Sequence, residues 1–317
     1  MKVIFMGTPE FAADILRAVH DCPVELTAVF TQPDRPVGRR QVLTPPAVKV
    51  LAQEYGLSVF QPERIKRPRW TELLRSMEPD LVIVAAYGQI LSQEILDIPR
   101  LGCINVHASL LPRYRGAAPI QRCIADGETV TGVTAMQMDA GMDTGDILLK
   151  REVPIRAEDT AQTLSRTLAD EGALLIREVI RRLLQGKTLP REKQNEAEAT
   201  YAPMLKKEEG LMDWTQSAKQ LDGRIRGFDP WPGAYTFWGE RKLLIEKALP
   251  LEEKGEGVPG AVQPYEAQAK HKTLRIQTGS GLLEIQRLQL QGKKSMTAED
   301  FLRGNSLQGV VLGGPQA

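Results

Sequence analysis

The sequence has few of the residues that metal centres, disulfides and membrane spans require. Its 317 residues include only three histidines and three cysteines, and neither type shows the spacing of metal ligands. The cysteines, Cys22, Cys103 and Cys123, are odd in number and far apart, which favours reduced core thiols over a disulfide framework. No run approaches the about 18 apolar residues that would suggest a membrane span. We therefore expect a cytoplasmic protein that has no metal site and does not enter a membrane.

A strong charge of one sign is also absent. The 41 Lys and Arg residues nearly balance the 40 Asp and Glu residues, so the net charge is +1. A polyanion would have to bind at local basic patches, because the molecule has no overall basic field. With 42% hydrophobic, 26% charged and 5% aromatic residues, the composition is typical of a folded globular protein. The apolar run at the N-terminus ends at Thr8-Pro9, too early for a signal peptide, and is expected to form a first strand.

Residues 1–150 alternate short apolar runs with amphipathic stretches. This alternation is typical of βαβ units, so we predict an α/β fold with a doubly wound, mostly parallel, Rossmann-like sheet. The run at 81–86 is apolar on both faces, as in a central parallel strand. The predicted strands lie at 3–6, 26–31, 57–60, 81–86 and 103–106, and the amphipathic stretches include 11–19 and 47–55.

The second half of the chain has a different pattern, and its length allows a second, smaller domain. After an expected antiparallel strand at 147–154, a leucine and isoleucine stripe predicts a helix over 157–184. Residues 186–209 are polar and indicate an interdomain linker. Alternating runs at 235–238, 242–248, 274–278 and 282–290 predict a C-terminal, OB-like β-barrel. We therefore assign a catalytic domain to 1–189, a linker to 190–208 and a β-barrel domain to 209–317.

Three polar side chains stand where they could act on one carbonyl group. Asn105 and His107 lie two residues apart at the end of a predicted strand, so their side chains share a face at the sheet edge where α/β folds bind ligands. Asp143 follows in a glycine-rich turn. An amide and an imidazole can donate hydrogen bonds to the oxyanion of a tetrahedral intermediate, and a carboxylate can orient the imidazole and accept a proton. The pattern therefore indicates acyl transfer without a metal.

Other readings of these residues are open at this point. Any one of the three is more often a satisfied structural group than a catalyst, and Asp is common in glycine-rich turns. Covalent catalysis has little support, because Ser109 lacks the Gly-x-Ser-x-Gly elbow and Cys103 lies within an apolar strand. A dinucleotide cofactor also has little support, because the turn at residues 7–11 lacks Gly-x-Gly-x-x-Gly. Direct, non-covalent transfer is favoured.

The run GCINVHASLLPRYRGAAPIQ at residues 102–121 closely resembles the signature of the folate-dependent formyltransferases. The resemblance covers essentially the whole chain, from FMGTPEFA at 5–12 through AAYGQIL at 85–91 to GKK at 292–294. It implies that 10-formyltetrahydrofolate is the formyl donor and that no ATP takes part. It also implies a catalytic trio of Asn105, His107 and Asp143. The residues that the resemblance assigns to the folate site are Ser109, Leu110, Leu111 and Pro112 on one wall and Tyr87, Gly88, Gln89 and Ile90 on another.

The acceptor is indicated by residues outside that trio, because relatives with other acceptors share it. The basic run TQPDRPVGRR at 31–40 is expected to be a long loop, and in the family such a loop reaches the acceptor stem of tRNA. The resemblance therefore implies formylation of the α-amine of methionine on initiator tRNA, for translation initiation, by an enzyme that we expect to be a monomer. The basic run ends at Arg40, so the grip on tRNA is expected to be weaker or displaced. The residues assigned to tRNA are Arg35, Arg39, Arg40, Lys206 and Arg224.

The C-terminal region offers further basic residues and one notable tryptophan. The run RIRGFDPWPGA at 224–234 resembles the start of the family's barrel-like domain, and we expect Trp231 in it to be a core anchor. A solvated, mixed-charge surface is the alternative for each basic residue there. Other acceptors also stay open: a small amine or sugar nucleotide, simple hydrolysis of the folate, or RNA binding without catalysis. The additional candidates for phosphate contacts are Lys207, Arg226, Arg241, Lys242, Lys293 and Lys294.

Overall fold

A computed structural model of the chain describes residues 1–38, 41–266 and 271–314. The chain divides into two compact units, each assembled from three segments. Unit 1 comprises Met1–Pro119, Val130–Pro154 and Ser165–Pro203, and unit 2 comprises Ile120–Thr129, Ile155–Leu164 and Met204–Ala317. The domain limits at 189 and 209 stay predictions. Among the described residues, no helix is both long enough and apolar enough to cross a membrane.

Unit 1 is built on a seven-stranded sheet with the order β5-β2-β1-β6-β7-β8-β9. The first five strands in this order run parallel, whereas β8 is antiparallel to both β7 and β9. The α/β fold with a mostly parallel sheet is therefore confirmed. The strands are β1 (Lys2–Gly7), β2 (Glu25–Phe30), β3 (Arg35–Val37), β4 (Val42–Thr44), β5 (Val59–Phe60), β6 (Leu81–Ala85), β7 (Cys103–His107), β8 (Val130–Gln137) and β9 (Ile147–Pro154).

Hydrophobic burial explains most of these elements. All five residues of β6 are buried, which confirms the prediction of a central strand. Helix α1 follows Pro9 and buries seven side chains, among them Phe11, Ile15 and Val19, at helical spacing. The helices of the first 190 residues are α1 (Glu10–His20), α2 (Ala47–Glu54), α3 (Pro68–Ser76), α4 (Gln93–Leu96), α5 (Pro119–Ala125) and α6 (Ala161–Leu184).

Helix α6 begins four residues later than predicted. The sequence pattern placed its start at 157, but the first helical residue is Ala161. The hydroxyl of Thr160 accepts the backbone N–H of Thr163 at 3.3 Å, as an N-cap residue does. Residues 157–160 therefore lead into the helix and are not its first turn.

The predicted loop at 31–40 contains a strand. Strands β3 and β4 pair as an antiparallel hairpin, with Arg35 opposite Thr44 and Val37 opposite Val42. The prediction of a long loop is therefore wrong for residues 35–37, which form a strand. Val37, Val42 and Leu43 are each more than half exposed, so the hairpin presents apolar side chains to solvent. Arg39 and Arg40 lie outside the described residues.

Unit 2 contains an antiparallel sheet in the order β10-β11-β13-β12, with β14 beside β13. Its strands are β10 (Ala234–Trp238), β11 (Arg241–Leu251), β12 (Leu274–Gln277), β13 (Leu282–Leu290) and β14 (Met296–Thr297), and its later helices are α7 (Ala218–Gly227) and α8 (Ala298–Gly304). The prediction of a β-rich C-terminal region is confirmed, whereas the strand pairing does not establish the OB-like barrel. The core-anchor prediction for Trp231 is wrong, because this side chain is 53% exposed. Trp214 is instead buried, and its Nε1 donates to Thr236 Oγ1 at 3.1 Å.

The polar stretch that resembles a linker makes ordered backbone contacts with unit 1. Glu192 forms an antiparallel bridge with Ile147, and Tyr201 forms a parallel bridge with Arg115. Short 3-10 turns occupy Glu196–Glu198 and Lys207–Gly210. Residues 192–202 therefore lie against the loop that follows β7 and against β9, the strand that comes after β8.

Candidate active site

The end of β7 brings two of the predicted residues to one edge of the unit 1 sheet. Asn105 pairs with Val84 of β6 on one side, and His107 pairs with Thr134 of β8 on the other. Because they are two positions apart on a strand, both side chains lie on the same face. Asn105 is 8% exposed and His107 is 6% exposed, so both polar groups are held away from bulk water. Such burial strengthens their hydrogen bonds to a substrate.

Asp143 approaches both residues from the loop between β8 and β9. Its Oδ1 lies 3.5 Å from Asn105 Nδ2, and its Oδ2 lies 3.7 Å from His107 Nδ1. The backbone N–H of Gly116 donates to Oδ2 at 2.8 Å. Asp143 has a left-handed φ of 56°, a conformation that costs energy in a residue other than glycine and often occurs at functional sites. The structure therefore brings Asn105 and His107 close to the carboxylate of Asp143, as the sequence predicted.

The imidazole of His107 has distinct roles for its two nitrogens. Nε2 lies 2.9 Å from the carbonyl oxygen of Tyr114, and a carbonyl can only accept, so Nε2 carries the proton in this bond. Nδ1 is then the nitrogen that faces Asp143. The distance of 3.7 Å between Nδ1 and Asp143 Oδ2 is longer than a hydrogen bond, so Nδ1 is not hydrogen-bonded to this carboxylate. This nitrogen is the one that can meet a substrate.

The loop after β7 is held by hydrogen bonds within the loop and to Thr134 of β8. Ser109 Oγ donates to the carbonyl of Arg113 at 2.6 Å, and Thr134 Oγ1 donates to the carbonyl of Ser109 at 2.7 Å. Thr134 Oγ1 also accepts the N–H of Leu111 at 3.1 Å. Leu111 packs against Met136 and Ile147, and Pro112 is buried beside it. Leu110 is partly buried, so this predicted wall of the folate site is mostly apolar and rigid.

Neither candidate for covalent catalysis is activated. The Ser109 hydroxyl is 1% exposed and is engaged by the Arg113 carbonyl, with no histidine bonded to it. Burial raises the pKa of the Cys103 thiol to about 12, which disfavours the nucleophilic thiolate. Direct attack by a substrate amine agrees with both observations.

The second predicted folate wall, at residues 87–90, offers mainly its backbone. The Tyr87 side chain is 2% exposed in the core, and burial raises the pKa of its phenol. The Gln89 amide accepts the N–H of Ile65 at 2.7 Å and donates to the carbonyl of Pro62 at 2.8 Å. Gly88 has a left-handed φ of 84°, and Ile90 is 73% exposed. The Gly88 backbone and the Ile90 side chain are thus the groups that can face a ligand, and the folate role of this wall stays a prediction.

Two residues that the sequence did not single out connect the loops of the site. Arg115 is fully buried, and its guanidinium donates to Gln194 Oε1 at 2.8 and 3.0 Å and to the carboxylate of Glu196 at 2.8 and 2.9 Å. Pairing with Glu196 raises the pKa of Arg115. Gln194 Nε2 donates to the carbonyls of Asp143 and Gly145, both at 2.7 Å. Arg115 lies inside the signature run, but Gln194 is in the predicted linker, where no local pattern marks it.

The residues assigned to tRNA differ in their availability. Arg35 is exposed on β3, and Lys206 is exposed at the N-cap of a 3-10 turn. Arg224 is half-buried: it donates to the carbonyl of Glu209 and its guanidinium carbon lies 5.0 Å from the ring centre of Phe228. Burial lowers the pKa of Arg224. The Arg224 side chain is therefore engaged within unit 2, whereas Arg35 and Lys206 are exposed.

Other basic residues of unit 2 are used within it or exposed. Arg226 pairs with Asp222 at 2.8 Å, and Lys242 lies 3.4 Å from the ring centre of Tyr235. Arg241 stacks over Trp238, and Lys207, Lys293 and Lys294 are exposed. Across residues 1–38, 41–266 and 271–314, no cluster of three or more His, Cys, Asp or Glu side chains is placed to hold a metal ion.

Comparison with known proteins covers 99% of the chain. A family profile described as formyl transferase matches residues 1–180, and one described as formyl transferase, C-terminal domain, matches residues 204–306. A protein of Geobacter metallireducens named methionyl-tRNA formyltransferase is 50% identical over 314 residues, which are 99% of this chain and 99% of that protein. A protein of the same name from Geobacter sulfurreducens is 49% identical over 99% of this chain and 97% of its own.

A solved structure shares the fold. WlaRD, a sugar 3N-formyl transferase crystallised in the presence of dTDP and 5-N-formyl-THF, superposes with a TM-score of 0.68 at 17% identity. The match covers 93% of this chain and 99% of that chain. At this identity the likeness concerns the fold, and it extends over both units of the chain.

Proposed function

The chain belongs to the formyl transferase family, and from this premise we propose that it transfers a formyl group from 10-formyltetrahydrofolate to the α-amine of methionyl initiator tRNA. The observation that carries the chemistry is the convergence of Asn105, His107 and Asp143 at the carboxyl edge of the sheet. The acceptor rests on relatives that bear this activity in their name and match 99% of the chain. The donor is supported by the formyl-THF used with WlaRD. The product serves translation initiation, in the cytoplasm, and the enzyme acts as a monomer.

The reaction begins with attack by the methionyl amine on the formyl carbon. The carbonyl oxygen becomes an oxyanion, and donors that are already in place stabilise it at little cost in reorganisation. Asn105 Nδ2 is one donor, and Nδ1–H of the His107 imidazolium is the other, because Nε2–H is bonded to Tyr114. The carbon–nitrogen bond to the methionyl amine forms, and the bond between the formyl carbon and N10 of the folate breaks.

Protons must move from the attacking amine to the departing folate nitrogen. Asp143 can accept the amine proton directly or through water, since its carboxylate faces the two donors. The proton then passes to N10 as tetrahydrofolate leaves. The same carboxylate orients the His107 imidazole, since its Oδ2 lies 3.7 Å from Nδ1.

The binding surfaces follow the predicted residues, with adjustments from the structure. Residues 109–112 and the Gly88 backbone would contact the folate. Arg35, Arg39, Arg40 and Lys206 would contact tRNA phosphates. Arg224, which holds the carbonyl of Glu209, would support the Lys206 turn from within.

Alanine variants of the trio test the chemistry. Asn105→Ala, His107→Ala and Asp143→Ala should each lower kcat by about 10²- to 10³-fold, because each removes a group that stabilises charge in the transition state. Turnover is measured with 10-formyltetrahydrofolate and methionyl initiator tRNA, and circular dichroism checks folding. His271→Gln, an exposed histidine change, is the control and should leave kcat unchanged. Near-normal turnover by any of the three variants would refute its assigned role.

Substrate competition tests the acceptor. The enzyme should formylate methionyl initiator tRNA far faster than a small amine, and hydrolysis without an acceptor should be slow. Arg39→Ala should raise KM for the tRNA but leave turnover of a small amine unchanged. Only the tRNA has phosphates that the basic residues at 31–40 can contact. Arg100→Ala, an exposed arginine that precedes β7, serves as the control. Preference for a small amine, or equal loss on both substrates, would favour a different acceptor.

A further inference from the structure

Gln194 connects the turn that carries Asp143 with Arg115 in the loop after β7, although it lies 51 positions beyond Asp143 in the chain. We propose that Gln194, locked in orientation by the buried Arg115, is a positioning residue that holds Asp143 toward Asn105 and His107. This inference rests on the proposed function, in which Asp143 handles the protons. Gln194 is partly buried, and the proposed mechanism gives it no contact with the reacting atoms.

Arg115 determines which way the Gln194 amide faces. Both Nε and Nη2 of Arg115 donate to Gln194 Oε1, and guanidinium can only donate. The oxygen end of the amide must therefore face Arg115, and the NH2 end must face away from it. Glu196 accepts two further Arg115 bonds at 2.8 and 2.9 Å, which balances the charge of a fully buried guanidinium.

The NH2 end of Gln194 holds the Asp143 turn by its backbone. It donates to the carbonyls of Asp143 and Gly145, so it clamps the turn on both sides of Thr144. Asp143 has a left-handed φ of 56°, and a non-glycine residue holds such a conformation only when surrounding contacts impose it. The two Gln194 bonds are contacts of that kind.

The residues on either side of Arg115, Tyr114 and Gly116, contact His107 and Asp143. The carbonyl of Tyr114 accepts His107 Nε2, and the N–H of Gly116 donates to Asp143 Oδ2. The Arg115 backbone between them is held by residues 200–202, with Arg115 N–H donating to the Thr200 carbonyl at 2.8 Å and Ala202 N–H donating to the Arg115 carbonyl at 2.7 Å. The N–H of Gly116 thus holds the Asp143 carboxylate, and the side-chain amide of Gln194 holds the Asp143 backbone carbonyl.

The variant Gln194→Glu separates the two ends of this contact. A glutamate keeps the oxygen that Arg115 needs, but it presents a second oxygen to the Asp143 and Gly145 carbonyls in place of the donor. The turn should be repelled, and Asp143 should move. A misplacement of about 1 Å can cost about 10²-fold in rate, so kcat should fall by about that factor. KM for folate and tRNA should change by less than about threefold, because no binding group is lost.

Lys193→Gln is the matched control, since Lys193 is an exposed neighbour in the same segment and should leave both constants unchanged. If Gln194→Glu fails to fold, Gln194→Met, which preserves the length of the side chain and removes both sets of bonds, is measured in its place. A purely structural role would raise KM or lower the folded fraction, without a selective fall in kcat.

Hydrogen exchange in the free protein gives a readout that does not depend on activity. The Gly116 amide should exchange at least about tenfold faster in Gln194→Glu, because its acceptor on Asp143 is no longer held. The Tyr114 amide donates to Thr200 Oγ1 at 2.8 Å and should keep its rate. Either a near-normal kcat or an unchanged Gly116 exchange rate would overturn the inference. If the wild-type enzyme transferred no formyl group, the proposed function would fail, while the exchange rates would still decide whether Gln194 holds Asp143.

Discussion

Gly116→Ala should destabilise unit 1 for two reasons that can be separated. Gly116 has a φ of 119°, a region that L residues rarely adopt, and this strain costs about 1–3 kcal/mol. A Cβ there would also lie 2.7 Å from the carbonyl oxygen of Ala202. That oxygen cannot swing aside freely, because it accepts the N–H of Ala118 at 3.0 Å. Forcing the two segments apart adds about 1–3 kcal/mol, so a total near 4 kcal/mol is expected.

Gly56→Ala is the control that isolates the strain. Gly56 also has a left-handed φ, 68°, but a Cβ there would meet nothing within 4 Å. Its cost should therefore be about 1 kcal/mol, the penalty for a left-handed residue alone. For a domain of this size each kcal/mol lowers Tm by about 2–4 °C, so Gly116→Ala should melt about 10 °C below wild type and Gly56→Ala about 3 °C below it.

Thermal unfolding followed by circular dichroism measures both shifts, and a formyl-transfer assay measures activity below the melting range. Gly116→Ala should also lower kcat, because displacement of the Gly116 N–H removes its bond to Asp143. Gly56→Ala should keep full turnover. Equal melting shifts for the two variants, or normal turnover of Gly116→Ala, would refute the claim that close contact between residues 116 and 202 supports the site.

Two further expectations concern single side chains. Trp231→Ala should change the unfolding free energy in urea by less than about 1 kcal/mol because Trp231 is 53% exposed, whereas Trp214→Ala should cost about 3–5 kcal/mol because Trp214 is buried; equal costs would contradict this contrast. Iodoacetamide at pH 8 should alkylate Cys22 before Cys103 in the native protein, since Cys22 is partly exposed and burial raises the pKa of Cys103 to about 12; the opposite order, read by mass spectrometry, would count against that burial.

The fold could be predicted where hydrophobic periodicity is strong. The run at 81–86 became β6, and the alternating runs after residue 230 became the strands of unit 2. Strand β8 is not among the predicted runs. It contains Gly132, which lies against Leu110 and the carbonyl of Arg151 with no space for a side chain. Because glycine has no apolar side chain and is unfavourable in strands, the strand pattern of the sequence is interrupted there. Trp231 was misassigned because its aromatic character indicates burial and its local sequence does not show what surrounds it.

The candidate site was predictable in its chemistry and not in its support. Asn105 and His107 share a strand end, so their common face follows from strand geometry. Asp143 lies in the loop between β8 and β9, and β8 pairs with β7, so the sheet topology accounts for its approach to Asn105 and His107. Gln194, by contrast, meets Arg115 across 79 positions and lies in a polar stretch without periodicity. Contacts of that length depend on the tertiary fold, which no local pattern encodes.

The same separation has a consequence for synthesis on the ribosome. The loop that follows β7 is made first, and the residues that bond to it, from Gln194 to Thr200, are added 79 to 86 positions later. At about 5–20 residues per second, that interval lasts about 4–17 seconds. A nascent chain stalled before residue 194 would already contain Asn105, His107 and Asp143 but would lack the Gln194 bonds to the Asp143 turn and the Thr200 bonds to the loop after β7. The enzyme would thus acquire its full activity only after the polar stretch at residues 192–202 has been made.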